Sequence, residues 1–181
     1  VFNAANRLIE GDDGGIYELS VANVGVEGNG LAGGGTWRSL NGDLHVSEMH
    51  SMAYDRVSRI VIGGAQDTGF QEQLVSGERT WNKTSNGDGG DTAVDFLTTA
   101  GQAIRYGSSQ NLGGFYRNTY NAINIQTGTA FPATTLVGGG TAIIRGGDFN
   151  NMPFVTPLGL NAVAGGRLII AGIAVVYEST N

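Results

Sequence analysis

The sequence predicts an all-β protein built from repeated antiparallel units, most simply a β-propeller-like array of about four blades with four strands each. Three observations point there. Short alternating or apolar runs are separated by turns rich in Gly, Asp and Asn, which tolerate φ > 0 at low steric cost. Glycine supplies 31 of 181 residues, about 17% against a usual ~7%, and shows no three-residue period that would indicate collagen. The third observation is a recurrence of about 45 residues with roughly four short runs per period, as in propellers. Helix-period patterning is nearly absent. A sandwich or β-helix is the architectural competitor, since strand spacing alone fits those too.

The repeat is clearest around residues 59–96. Three hairpin turns, GDDGG at 11–15, GAQDTG at 64–69 and GSSQNLGG at 107–114, each precede an apolar residue: Ile16, Phe70 and Phe115. These lie 54 and then 45 residues apart. The first strands of these hairpins are expected at 7–10, 60–63 and 103–106. Further upstream an Ala-x-Asp element recurs 40 residues apart, at Ala53-Tyr54-Asp55 and Ala93-Val94-Asp95, with a weaker copy, Ala4-Ala5-Asn6. Downstream, Thr36-Trp37 and Thr80-Trp81 recur at a spacing of 44. A worn last unit is expected to place strands at 159–164, 167–171 and 175–180, with Gly172 at a turn. Residues 118–140 are expected to give the third unit its last strand, and 146–157 a loop holding Asp148, Phe149 and Phe154. The whole chain, 1–181, is expected to be one repeat domain with units near 1–44, 45–90, 91–145 and 146–181.

Composition narrows the function classes. The net charge of −6, with one lysine (Lys83) and scattered arginines, offers no basic stripe for phosphates, which argues against nucleic acid and anionic membrane surfaces as partners. The longest apolar run, 168–177, has ten residues, too few to span a bilayer as a helix. Without cysteine there is no disulfide or thiol chemistry. The sequence starts at Val1 and carries no signal segment, so a processed or excised piece is expected.

Several segments resemble the bacterial neuraminidase-type (BNR, Asp-box) repeat propellers: GDDGGIYEL at 11–19, GTWRSLNGDL at 35–44, GGAQDTGFQ at 63–71 and NGDGGDTAVD at 86–95. That group includes sialidases, sortilin-like domains and xyloglucan-cleaving glycosidases. The match covers about residues 8–96. The family's Ser-x-Asp-x-Gly-x-Thr-Trp box is worn: residues 30–37 keep Gly34, Thr36 and Trp37 but carry Ala32 at the Asp position, and residues 74–81 keep Thr80 and Trp81 with Ser76 there. Six to eight blades are usual in the family, so four units imply missing blades or self-association to complete a ring.

The resemblance implies a catalytic role for Asp13, whose setting is similar to a catalytic Asp of the xyloglucan-cleaving relatives. Glycoside hydrolysis needs a second carboxylate across the sugar; Asp12, Asp67, Asp88 and Asp91 are the available partners. Against this, Asp13 and Asp67 occupy the same hairpin turn in successive units, where Asp caps backbone N–H groups. Asp67, Trp37 and Trp81 are candidate binding residues, the tryptophans as sugar-stacking platforms or as packing anchors. Residues 86–94 approximate a Gly-Asp calcium repeat, and Asp88, Asp91 and Asp95 could offer oxygen ligands to calcium. His45, Glu48 and His50 invite a zinc reading without a third ligand at known spacing. A sialidase reading lacks a recognisable arginine cluster. Asn82-Lys83-Thr84 is formally a glycosylation acceptor. The expectation is therefore a non-catalytic β-repeat module of an exported bacterial protein, extracellular or periplasmic, presenting loops to a protein or carbohydrate partner or serving as scaffold, with calcium as the one candidate cofactor. The alternative is a glycoside hydrolase fragment working through paired carboxylates.

Overall fold

Wherever an alternating run meets a Gly/Asp turn, the chain doubles back into an antiparallel hairpin. The structure, a computed structural model, describes residues 1–5, 7–12, 14–20, 25–26, 31–32, 36–43, 47–130, 135–136 and 151–180. The chain divides into two compact units, Val1–Val46 and Ser47–Asn181. Among the described residues there is no α-helix; a 3-10 turn at Gln110–Leu112 is the only helical element.

In the first unit, β1 (Ile9–Asp12), β2 (Gly15–Ser20), β3 (Gly25–Val26), β4 (Leu31–Ala32) and β5 (Thr36–Ser39) form a three-stranded sheet of order β1-β2-β5 and a separate β3-β4 hairpin. Register pairs Glu18 with Ile9 and with Arg38. Glu18 is buried and receives Arg7 Nη1 at 2.8 Å, Arg38 Nη2 at 2.9 Å and Asn3 Nδ2 at 3.0 Å. The Arg7 hydrogen bond, with that of Arg38, holds its carboxyl below the ordinary value despite burial.

The second unit begins with a meander of β6 (Met49–Asp55), β7 (Ile60–Ala65), β8 (Gly69–Gln73) and β9 (Trp81–Lys83). A second meander follows: β10 (Gly89–Asp95), β11 (Gln102–Ser109), β12 (Gly113–Asn121) and β13 (Gln126–Ala130). The last sheet combines β14 (Thr135–Leu136), β15 (Leu158–Leu160), β16 (Leu168–Ala171) and β17 (Val176–Ser179) in the order β14-β17-β16-β15. All pairings are antiparallel. The expected hairpins thus fall on β1–β2, β7–β8 and β11–β12.

One strand differs from the sequence reading. The strand expected over 159–164 stops at Leu160, because the Asn161 side-chain oxygen accepts the Val163 and Ala164 N–H groups at 2.8 and 2.9 Å and turns the chain. Within residues 118–140, the expected last strand of the third unit is β13. β13 completes the second meander, whereas β14 crosses to pair with β17, where Thr135 faces Glu178 and Leu136 faces Tyr177.

Apolar side chains fill the spaces between successive sheets. Ile60, Ile62 and Phe70 of the first meander meet Val94 and Tyr116 of the second, with the Phe70 and Tyr116 rings edge-on at 5.4 Å. Ala93, Ile104, Tyr106 and Phe115 point the other way, toward Leu168, Ile170 and Tyr177 of the last sheet. Burying a side chain of this size contributes about 1.5–3 kcal/mol, so this packing stabilises both junctions. Glycine permits the closest approach. A Cβ on Gly64 would run into the Gly90 carbonyl, and one on Gly89 would lie 2.6 Å from the Ala65 nitrogen.

Candidate functional site

The Ala-x-Asp elements seen in the sequence close the first hairpin of each meander. Asp55 Oδ1 accepts the Val57 and Ser58 N–H groups at 2.8 and 3.2 Å, and Oδ2 accepts the Ser58 hydroxyl at 2.8 Å. Asp95 repeats this with Leu97 N at 2.7 Å, Thr98 N at 3.3 Å and the Thr98 hydroxyl. Asn161 is the third copy, lacking the hydroxyl partner because Ala164 stands there. The local reason is the chemistry of the short carboxylate, which can replace a backbone carbonyl as acceptor two and three residues on.

Each carboxylate also reaches into the next sheet. Asp95 Oδ2 accepts the Gly166 N–H at 2.7 Å. Asp55 Oδ2 accepts from Nε and Nη2 of Arg105 on β11, at 3.0 and 2.7 Å. Arg105 is completely buried. Its Nη1 donates to Glu72 at 2.7 Å, and Nη2 also meets Ser58 Oγ and Asn124 Oδ1 at 2.8 and 2.6 Å. The guanidinium carbon stands 3.7 Å from the centre of the Tyr120 ring, whose hydroxyl donates to Glu72 at 3.2 Å. A planar five-donor cation suits such a cluster better than lysine would.

Electrostatics separates the two carboxylates. Burial disfavours the charge on Asp55, yet hydrogen bonds from Arg105 and Ser58 outweigh it and hold the group below its ordinary value. Burial dominates at Glu72 and pushes it up, with Arg105 pulling it back only in part. Asp95 is also held low: its four hydrogen bonds overcome desolvation. Burial raises Tyr116 and takes Tyr120 up to about 12, which leaves both phenols protonated near neutral pH and unsuited to act as phenolate nucleophiles.

Asp91, on β10, links strands of the two neighbouring sheets. Ser51 Oγ on β6 donates to its Oδ1, and Leu158 N–H on β15 donates to its Oδ2 at 2.8 Å. Beside it, His50 Nδ1 lies 2.8 Å from the Gly89 carbonyl and donates to it.

Asp13 and His45 lie outside the described residues, as do Asp148 and Phe149. Its neighbour Asp12 is exposed and accepts the Gly14 N–H at 2.8 Å. Asp67 occupies the β7–β8 turn at φ 57°, and its N–H donates to Asp88 Oδ1 at 2.8 Å. Asp67 and Asp88 therefore meet, as neighbouring turns. Asp88, Asp91 and Asp95 do not converge, since Asp91 and Asp95 are four residues apart along one strand, ~13 Å at the usual rise, each with partners of its own. No group of three or more His, Asp or Glu able to hold a metal occurs among the described residues. Trp37, on β5 opposite Leu19, is 44% exposed; Trp81, opposite Gln73 on β9, is half-buried. Neither belongs to a buried core cluster.

Sequence reasoning found Asp55 and Asp95 but missed the Ser or Thr three residues later, which would have identified them as turn carboxylates. It missed Glu72, Arg105 and Tyr120 altogether. Chemically the arrangement neutralises charge and ties sheets together, and its carboxylates are spent on backbone N–H, hydroxyl and guanidinium donors. No protein-family model, curated protein or solved structure gives a significant match to this chain.

Proposed function

We propose that the chain is a non-catalytic β-repeat module whose sheets are propeller-like blades, presenting loops to a protein or glycan partner within an exported bacterial protein. The observation that carries this reading is the use of the recurrent carboxylates. Asp55, Asp91 and Asp95 each reach from one sheet into another, which is what a stacked scaffold requires and what a sugar-cleaving pair cannot spare. The two consecutive four-stranded meanders, with first strands adjacent through Asp91, support a blade-like stacking that further blades or self-association would complete.

The test is thermal unfolding of the chain against a panel of soluble glycans, with calcium or with EDTA. A ligand that binds the folded state at 100 times its Kd adds about 2.7 kcal/mol, a readily measured rise in midpoint. A rise with one glycan supports glycan presentation, and a rise with calcium alone would show that the folded chain binds the metal. Turnover of a bound glycan that vanishes in a folded Asp13→Asn variant would overturn the non-catalytic reading in favour of a hydrolase.

A further inference from the structure

The meanders of the second unit place alternate turns at opposite ends, and the two ends differ in chemistry. Interactions fix which turns share an end. The Arg56 guanidinium carbon, in the β6–β7 turn, lies 3.6 Å from the centre of the Phe96 ring in the β10–β11 turn. Asn124, between β12 and β13, meets Arg105 and donates to the Leu74 carbonyl between β8 and β9 at 3.5 Å. Gly166, between β15 and β16, meets Asp95. Five hairpin tips from three sheets therefore stand at one end.

Among the described residues, these tips carry six of the unit's ten exposed large aliphatic side chains: Leu74, Val75, Leu97, Ile123, Ile125 and Val163 are 43–92% exposed. Scattered exposed apolar residues need no explanation, but six on adjoining tips do. The same end bears exposed Arg56, Arg59 and Arg79, none in an ion pair among the described residues, against one exposed acid, Glu78. Behind this surface lie the buried carboxylates Asp55 and Glu72, which share Arg105, and Asp95, which keeps its charge among neutral donors; Arg167 is paired with Glu178. The opposite end has Glu48, Asp67 and Asp88 on its turns. In a chain of net charge −6, the exposed, unpaired charge at this end is thus positive, with the acidic groups buried behind it or paired. The sequence conceals it, because the three arginines fall on two turns twenty residues apart.

The geometry points to this end as a surface that docks on an anionic lipid bilayer, with the aliphatic tips entering the interface and the arginines facing lipid headgroups. Charge complementarity calls for an anionic occupant and the exposed aliphatic tips call for an apolar one, a combination the bilayer interface offers. Separate tips also suit a fluid surface that moulds around each of them. The sequence expectation of no anionic membrane partner counted dispersed charge and did not see its convergence. This inference is independent of the partner proposed above.

Co-sedimentation with vesicles tests it. The chain is expected to pellet with equal parts phosphatidylcholine and phosphatidylglycerol, and to stay in solution with phosphatidylcholine alone. Each of Arg56→Gln and Arg79→Gln should lower partitioning about 5-fold, and Leu97→Asn with Ile123→Asn should abolish it. Ile173→Asn, at the opposite end and 63% exposed, should bind as wild type. All these side chains are exposed, so unchanged circular dichroism and thermal midpoint verify folding of every variant. Absence of pelleting with anionic vesicles, or undiminished pelleting of the Leu97/Ile123 double variant, overturns the assignment. So does concentration-dependent self-association that the same double variant removes, which would give the tips to a second copy.

Discussion

Replacing Arg105 by methionine removes the cation from a site where both carboxylates are out of water. Asp55 is fully buried and the Glu72 side chain is 10% exposed. The lost interactions comprise two donors to Asp55, one to Glu72, one to Ser58 and one to Asn124. Methionine fills much of the same volume, so the cavity cost is small and the dominant effect is an uncompensated buried charge, worth about 3–5 kcal/mol. For a chain of this size that lowers the thermal midpoint by about 10 °C. Urea unfolding at neutral pH, read by tryptophan fluorescence and circular dichroism, measures the loss. The triple variant Arg105→Met, Asp55→Asn, Glu72→Gln removes the charges together and should recover a large part of it, because the penalty lies in the orphaned carboxylates. A loss under about 1 kcal/mol for the single variant, or no recovery in the triple, would refute the claim that charge compensation holds this junction.

Acid should weaken the fold through Asp95. Its folded pKa is below the unfolded 3.8, so its contribution is present above that value and is lost as pH falls through the folded pKa; Asp95→Asn should flatten stability measured from pH 5 to 3. Glu72 works in the opposite sense, since its folded pKa is raised above 4.5 and its ionisation costs stability as pH climbs through that window, so Glu72→Gln should steepen the net acid loss. Gly64→Ala should cost about 1–3 kcal/mol in urea unfolding, as expected for overpacking, because the added methyl meets the Gly90 carbonyl of the next sheet. Arg59 holds φ 62° where the equivalent turns use Gly101 and Gly166, so Arg59→Gly should be neutral or stabilise by up to about 1 kcal/mol.

What the sequence made legible was local. The hairpin turns could be read because Gly and Asp at φ > 0 are a chemical requirement written where it applies, as at Gly69 and Asp67. Asp55 and Asp95 could be found by recurrence, although not understood until their turns were seen. The Arg105 cluster was illegible for a physical reason. Its partners lie 33 and 50 residues away, and nothing near Arg105 distinguishes a buried arginine from a solvated one. β14 was equally hidden: two residues carry no periodicity, and their place in the last sheet is set by Tyr177 and Glu178 across the ladder.

The carboxylate of Asp91 touches Ser51 on one side and the Leu158 amide on the other, and that has a consequence for how the three sheets come apart. In an array where neighbours touch only through separate contacts, one end can fray while the other persists. A single acceptor shared by both junctions couples their opening, because either neighbour's departure leaves that acceptor half-satisfied and loosens its hold on the other. The second unit should thus open as one cooperative block under native-state hydrogen exchange, with the amides of β6, β10 and β15 sharing a common opening free energy. Asp91→Ala would divide that block into sheets that exchange at different rates.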